Sequence, residues 1–291
     1  MEQINLEYET KKGLEQSTFD FDTKEIKLSK KGIISTDLTP ISNLSNLERF
    51  WINGNHLNEI DLGPLSHCNA LQILSISDND LRSIDLTPLR HCPNLSELYI
   101  HKNQLDSIDL SPLSEIPGFR SLFLDRNRLR KVFLDPLIEC SSLREIRLWK
   151  NLLPSLDLTS LFFVKDFKTL HIEEDLILTM DMTLKYVAKQ IPTNRFVKDA
   201  IDYDRIDWLD YSSLSIRSGW SGVRTRILET LQRIPLQYSS SVNRGLLESF
   251  GLNKSSFPET DMKEMILSIP EDIEYGEAYN IIEEKFKYIG N

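Results

Sequence analysis

Apolar residues recur with a period of 24 along the first two thirds of the chain. One column reads Leu47, Leu71, Leu95, Phe119, Leu143 and Phe167, and a second Phe50, Leu74, Leu98, Leu122, Ile146 and Leu170. A third is Ile52, Ile76, Ile100, Leu124, Leu148 and Ile172, and a fourth Leu57, Leu81, Leu105, Leu129 and Leu153. A polar column keeps step with them: Asn55, Asn79, Asn103, Asn127 and Asn151. Alternating pairs such as Leu74 and Ile76 place two apolar side chains on one face of a short strand. Between strands, Ile84-Asp85-Leu86-Thr87-Pro88-Leu89 returns as Ile108-Asp109-Leu110-Ser111-Pro112-Leu113. Thr or Ser before Pro predicts an N-cap and the first residue of a helical turn, one per period. The asparagine side chain both donates and accepts, so a column of them is suited to satisfy the backbones of neighbouring coils.

The unit Leu71-x-x-Leu74-x-Ile76-x-x-Asn79-x-Leu81 resembles the leucine-rich repeat, of the intracellular type with 24-residue repeats. The resemblance implies an α/β solenoid with a concave parallel β-sheet and short convex helical turns, and it covers residues 23–182 as about seven coils. The ends depart from the pattern: Lys31 and Asp175 stand where the asparagines would be, and Ser160 ends the proline column. Residues 1–22 are expected to form an N-terminal cap, with Ile4, Leu6 and Tyr8 on one strand face, because end coils expose apolar edges.

Beyond residue 182 the period stops, and residues 183–291 predict a mainly α-helical C-terminal domain or cap. Ser221-Gly222 opens a pattern in which Val223, Ile227, Leu228, Leu231 and Ile234 share a face, stopped by Pro235. Further helices are expected near 241–250, stopped by Gly251, near 260–269, and near 276–288 with Ala278, Ile281, Ile282 and Phe286. Amphipathic helices of this kind need a surface to bury against, either a core of their own or the last coil.

Composition narrows the function. The charge of −10 argues against a general polyanion binder, so nucleic acid is not an expected partner. The arginines 217, 224, 226 and 233 read as one solvated helix face without a stacking set of aromatics. No apolar run is long enough to span a bilayer, and Met1–Asn5 has no signal-peptide character, so a cytoplasmic protein is expected. Cys68, Cys92 and Cys140 fall in a column with Ile116 and Val164, which predicts buried small hydrophobes. The pairs His67-Cys68 and His91-Cys92 invite a zinc reading, but neighbours on a helical turn diverge and cannot converge on one metal. Asp199, Asp202, Asp204, Asp207 and Asp210 lack the glycine and glutamate of a calcium loop. With Tyr203, Trp208 and Tyr211 they are expected as a solvated junction or a segment docking its aromatics on the solenoid. No catalytic motif stands out, and no cofactor or metal is expected.

The concave face carries the candidate chemistry. Its middle column reads Lys27, Trp51, Ser75, Tyr99, Phe123, Arg147 and His171, and the next Ser29, Asn53, Ser77, His101, Asp125, Trp149 and Glu173. Exposed rings on one sheet face are what protein-binding hot spots favour. The expected partner-binding set is Trp51, Tyr99, Phe123 and Trp149 for contact area, with His101, Asp125, Arg126 and Arg147 for polar specificity. The sequence thus predicts a non-enzymatic protein–protein interaction module, an adaptor or regulator of a signalling enzyme. Alternatives are an enzymatic or effector C-terminal domain whose substrate the solenoid selects, and self-association through the concave face.

Overall fold

The computed structural model describes residues 3–234, 238–250 and 262–288. They fall into two units: Met1–Ile177 with Thr193–Val197, and Leu178–Pro192 with Lys198–Asn291. Pro235 and Gly251 lie outside the described residues, as do the side chains of Arg217 and Phe286.

The first unit opens on an antiparallel hairpin of β1 (Gln3–Thr10) and β2 (Gly13–Asp20). Ile4, Leu6, Tyr8 and Thr10 alternate inward along β1. The solenoid begins with β3 (Glu25–Lys27), and β4 (Ile33–Thr36) pairs antiparallel with β1, which ties the hairpin to the first coil. Five strands follow one period apart: β5 (Arg49–Trp51), β6 (Ile73–Ser75), β7 (Glu97–Tyr99), β8 (Ser121–Phe123) and β9 (Glu145–Arg147). After them come a short strand β10 (Ser155–Asp157) that is not part of the same sheet, the single turn α1 (Thr159–Phe162) and β11 (Thr169–His171). Strands β3, β5 to β9 and β11 form one seven-stranded parallel sheet in chain order. Each residue pairs with its counterpart one period on, so Phe50, Leu74, Leu98, Leu122 and Ile146 stack in register on the buried side.

The asparagines close the inner corner of each coil. Asn103 accepts the Leu81 N–H at 3.1 Å and donates to the Ile76 and Ile100 carbonyls at 3.1 and 3.0 Å. Asn55, Asn79, Asn127 and Asn151 repeat this with their own neighbours. Just before each ladder position, Lys31 included, the chain enters the left-handed region: Lys30, Asp78, Lys102, Arg126 and Lys150 have φ between 55° and 58°. Only the coil of Gly54 (φ 70°) fills that position with the residue that adopts it without strain. Where the ladder would begin, Lys31 instead reaches the hairpin, its Nζ donating to Tyr8 Oη and Ser17 Oγ at 3.1 Å each. With no earlier coil to bridge, an asparagine there would have no preceding carbonyl to serve.

The convex turns are short 3-10 helices at Thr39–Asn43, Gly63–His67, Thr87–His91, Ser111–Glu115 and Asp135–Glu139. They correct the expected capping. The residue at the cap position is leucine, and the Thr or Ser before Pro already lies inside the turn. The acceptor is the aspartate two residues upstream of the turn: Asp37, Asp61, Asp85 and Asp109 each take the N–H of residue i+2 at 2.8 Å. This is an aspartate turn rather than a hydroxyl cap. The cysteines line the inside of the convex wall, each thiol donating to a carbonyl of the preceding coil (Cys92 Sγ to Leu65 O, 3.3 Å). Burial pushes their pKa up to about 11 for Cys68 and about 12 for Cys92 and Cys140. His67 and His91 are exposed on the other side of the wall.

The second unit pairs β12 (Ile177–Asp181) with β13 (Ile206–Leu209) in parallel. Its helices are α3 (Tyr211–Arg233), α4 (Ser239–Ser249), α5 (Met262–Leu267) and α6 (Tyr275–Tyr288); α2 (Arg195–Asp202) begins in the first unit's returning segment. The helix expected from Ser221 begins just after Gly219, whose non-helical backbone (φ 63°) separates it from a preceding helical stretch that starts at Tyr211. A core of Tyr211, Trp220, Ile227, Leu246, Phe250 and Ile266 holds the unit together. A buried polar centre sits beside it: Asp181 accepts from the Thr183 amide (2.9 Å) and hydroxyl and from Arg226 Nε (3.1 Å), while Tyr211 Oη meets Thr183 Oγ1 at 2.7 Å. In the acidic stretch Asp199, Asp202, Asp204 and Asp207 are exposed, as expected of a solvated segment. The stretch builds α2 and β13, Tyr211 enters the unit's own core, and Tyr203 is exposed.

Candidate functional site

Each sheet strand presents its first and third residues outward and buries the second, so two outward columns run across the coils, with a third just past the strand ends. The structure gathers the predicted residues into two clusters. In the first, Tyr99 and Phe123 stack with centroids 4.4 Å apart and planes within 4°. Arg147 lies over the far side of the row, its guanidinium carbon 4.7 Å from the Phe123 centroid. Trp51 approaches Tyr99 at 6.2 Å across the intervening coil, where strand pairing puts Ser75 between them. That serine is buried, and its small size lets the two rings approach. Trp51, Tyr99, Phe123 and Arg147 thus make one continuous row.

In the second cluster, Arg126 and Lys150 both lie over the Trp149 ring, at 4.8 and 4.7 Å. His101 sets its ring edge-on to Tyr99 at 6.3 Å. Its Nδ1 is buried with no hydrogen-bond partner, and burial lowers its pKa below the ordinary 6.5. An open depression of about 670 Å³ lies beyond Trp149, lined by His171 and the carboxylates of Glu173, Glu174 and Asp175.

Two of the expected contact residues are not open. Phe123 and Asp125 are each only 7% exposed, where Trp51, Tyr99 and Trp149 are half-buried. The ring of Phe123 is covered by Tyr99 on one side and Arg147 on the other, so it supports the row more than it presents surface.

A column absent from the expected set completes the face. Glu25 accepts from Trp51 Nε1 at 3.0 Å, Glu97 from Tyr99 Oη at 2.5 Å and Glu145 from Arg147 Nε at 2.7 Å. Glu145 also pairs with His171 Nε2 at 3.4 Å. Burial, together with the carboxylate beside it, raises the pKa of the Tyr99 phenol well above 10. The signal was in the sequence, since Glu25, Glu97 and Glu145 share the period of 24. These carboxylates fix the orientation of the rings and the guanidinium, so less freedom is lost when a ligand seats on them. Among the described residues no group of three or more His, Cys, Asp or Glu is arranged to hold a metal ion. No described helix is long and apolar enough to cross a membrane.

The leucine-rich repeat family model matches residues 70–129. A crystal structure of internalin C2 from Listeria monocytogenes is similar at 24% identity over 51% of this chain and 70% of that one, with a TM-score of 0.40. No curated protein matches. The in-register parallel strands, the asparagine ladder and the matched repeat together make the solenoid of this chain a leucine-rich repeat solenoid.

Proposed function

We propose that the chain is a non-enzymatic protein–protein interaction module that binds a protein partner on the concave sheet face. The observation that carries this reading is the continuous row Trp51–Tyr99–Phe123–Arg147, with its outer rings half-buried and held in place by carboxylates. Aromatic and arginine anchors ordered before contact are the side chains that dominate binding energy. Arg126 and His101 flank the rows and would supply polar selectivity, with Asp125 buried behind them. An adaptor or regulator of a signalling enzyme in the cytoplasm fits this reading, as do three neutral, buried thiols that need no oxidation.

The test is quantitative affinity capture from the source cell with wild-type protein and the double variant Trp51→Ala/Trp149→Ala. Both rings are half-buried, so the solenoid should survive their loss. Proteins that drop out with the variant are the partners. An unchanged set of captured proteins refutes the site, and capture of only the chain itself would turn the reading to self-association.

A second reading, in which the C-terminal unit is an enzyme or effector and the solenoid selects its substrate, draws support from that unit's own core and buried polar centre. A fragment beginning at Leu178 that folds and turns over or binds a small molecule would favour it.

A further inference from the structure

The fifth coil breaks the repeat in a way that stacking does not require. Between the left-handed residue and the return turn, the loops at 54–61, 78–85 and 102–109 are acidic and end on aspartate. The loop at 126–133 reads Arg-Asn-Arg-Leu-Arg-Lys-Val-Phe and contains no acid. Arg128, Arg130 and Lys131 are exposed, and no ion pair joins them to a described carboxylate. The neighbouring Asp106, one coil back from Arg130, instead accepts from Ser107 Oγ at 3.0 Å.

At the end of this loop Phe133 takes the place of the aspartate that holds the next turn in other coils. It is 56% exposed, with Lys131 Nζ 3.9 Å from its ring centroid. One period after Arg128 stands Leu152, 55% exposed, whose N–H bonds the Leu129 carbonyl and so lies directly alongside. The coil gives up a turn-forming hydrogen bond and exposes a large ring. Local rules are broken in this way where a site needs the residue.

We propose that this edge of the solenoid, formed by Arg128, Arg130, Lys131, Phe133 and Leu152, is a second binding surface whose ligand is an acidic protein segment carrying an apolar side chain. Charge complementarity selects the acid, and Phe133 with Leu152 provides the apolar contact. A protein segment is favoured over nucleic acid because one ring gives no stacking ladder and the acidic loops of the preceding coils border the patch. None of these five residues belongs to the aromatic rows of the concave face.

The repeat supplies its own control. Arg128→Gln, Arg130→Asp and Lys131→Ser install the residues that the fourth coil has at the same positions, Gln104, Asp106 and Ser107. Phe133→Asn restores a side-chain oxygen for the turn. A fluorescent synthetic peptide of Glu and Asp around a Leu-Phe centre, titrated into the full chain by anisotropy, is expected to bind with an affinity that falls as salt rises. The fourfold variant should lose at least about tenfold in affinity, and Phe133→Asn alone should weaken binding while raising the melting temperature. Trp51→Ala/Trp149→Ala should bind the peptide as wild type does, which separates this surface from the concave face. The proposal fails if the peptide does not bind, if a Lys/Arg version binds equally, or if the fourfold variant binds unchanged. Tighter binding of single-stranded RNA or phosphatidylserine vesicles than of the peptide would also overturn it.

Discussion

Tyr99 and Phe123 stack face to face at 4.4 Å, one coil apart, and only Tyr99 keeps an accessible edge. The pair therefore divides the labour of the row, with Phe123 as its support. Phe123→Ala should cost about 3 kcal/mol of stability, in the range for a buried aromatic. Trp149→Ala, at a half-buried position, should cost about 1 kcal/mol. Urea unfolding of the two variants measures the difference. A smaller loss at Phe123 than at Trp149 would mean that the stack does not support the face.

The asparagine ladder makes a graded prediction. Asn103→Ala strands the Leu81 N–H and leaves the Ile76 and Ile100 carbonyls short of a donor inside the solenoid, an expected loss of about 3 kcal/mol. Asn151 makes the same bonds but is half-buried, and water can replace part of what its truncation removes. Asn151→Ala should therefore lose less than Asn103→Ala. Equal losses would show that the interior ladder is no drier than its last rung.

The solenoid was legible because each coil must match its neighbour: the fixed spacing of the columns that start at Phe50 and Asn55 admits one register, whatever the rest of the coil holds. What escaped reading depended on side-chain direction. Spacing places Phe123 on the exposed face but not beneath Arg147, and it leaves unread the Glu97 carboxylate aimed at Tyr99. Residue type alone points to Thr87 as the turn acceptor, because hydroxyl and carboxylate both suit that end of the segment, and only geometry chooses Asp85. In the second unit no period exists, so the helical stretch from Tyr211 up to the break at Gly219 carries no signal that composition could separate from a loop, whereas the apolar face from Val223 to Leu231 marks the helix beyond it.

His101 predicts how stability changes above the carboxylate range. Burial keeps its folded pKa below 6.5, so between about pH 7 and 5 the unfolded chain binds more protons through this residue. Its contribution then favours unfolding as the pH falls. His101→Gln should flatten the stability–pH curve in that window. The loss below it should remain, because Asp37, Asp85 and Asp109 have pKa values held below 3.8 by hydroxyl and backbone hydrogen bonds and give up that stability as they protonate. A variant curve parallel to wild type from about pH 7 to 5 would show that His101 titrates alike in both states.

Gly245 gives a prediction whose sign is diagnostic. In the interior of an exposed helix, Gly→Ala stabilises by up to about 1 kcal/mol. Here a Cβ would sit 2.7 Å from the carbonyl oxygens of both Met182 and Thr183, backbone atoms that hold the turn carrying the Asp181–Thr183 polar centre. Gly245→Ala should instead destabilise the second unit by about 2 kcal/mol, as overpacking against backbone does. Hydrogen exchange read separately on the two units checks it: amides of Tyr211–Arg233 should exchange faster, while those of Leu81 and Leu105 in the asparagine ladder should not change. Slower exchange in the second unit would mean that α4 does not press on residues 182–184.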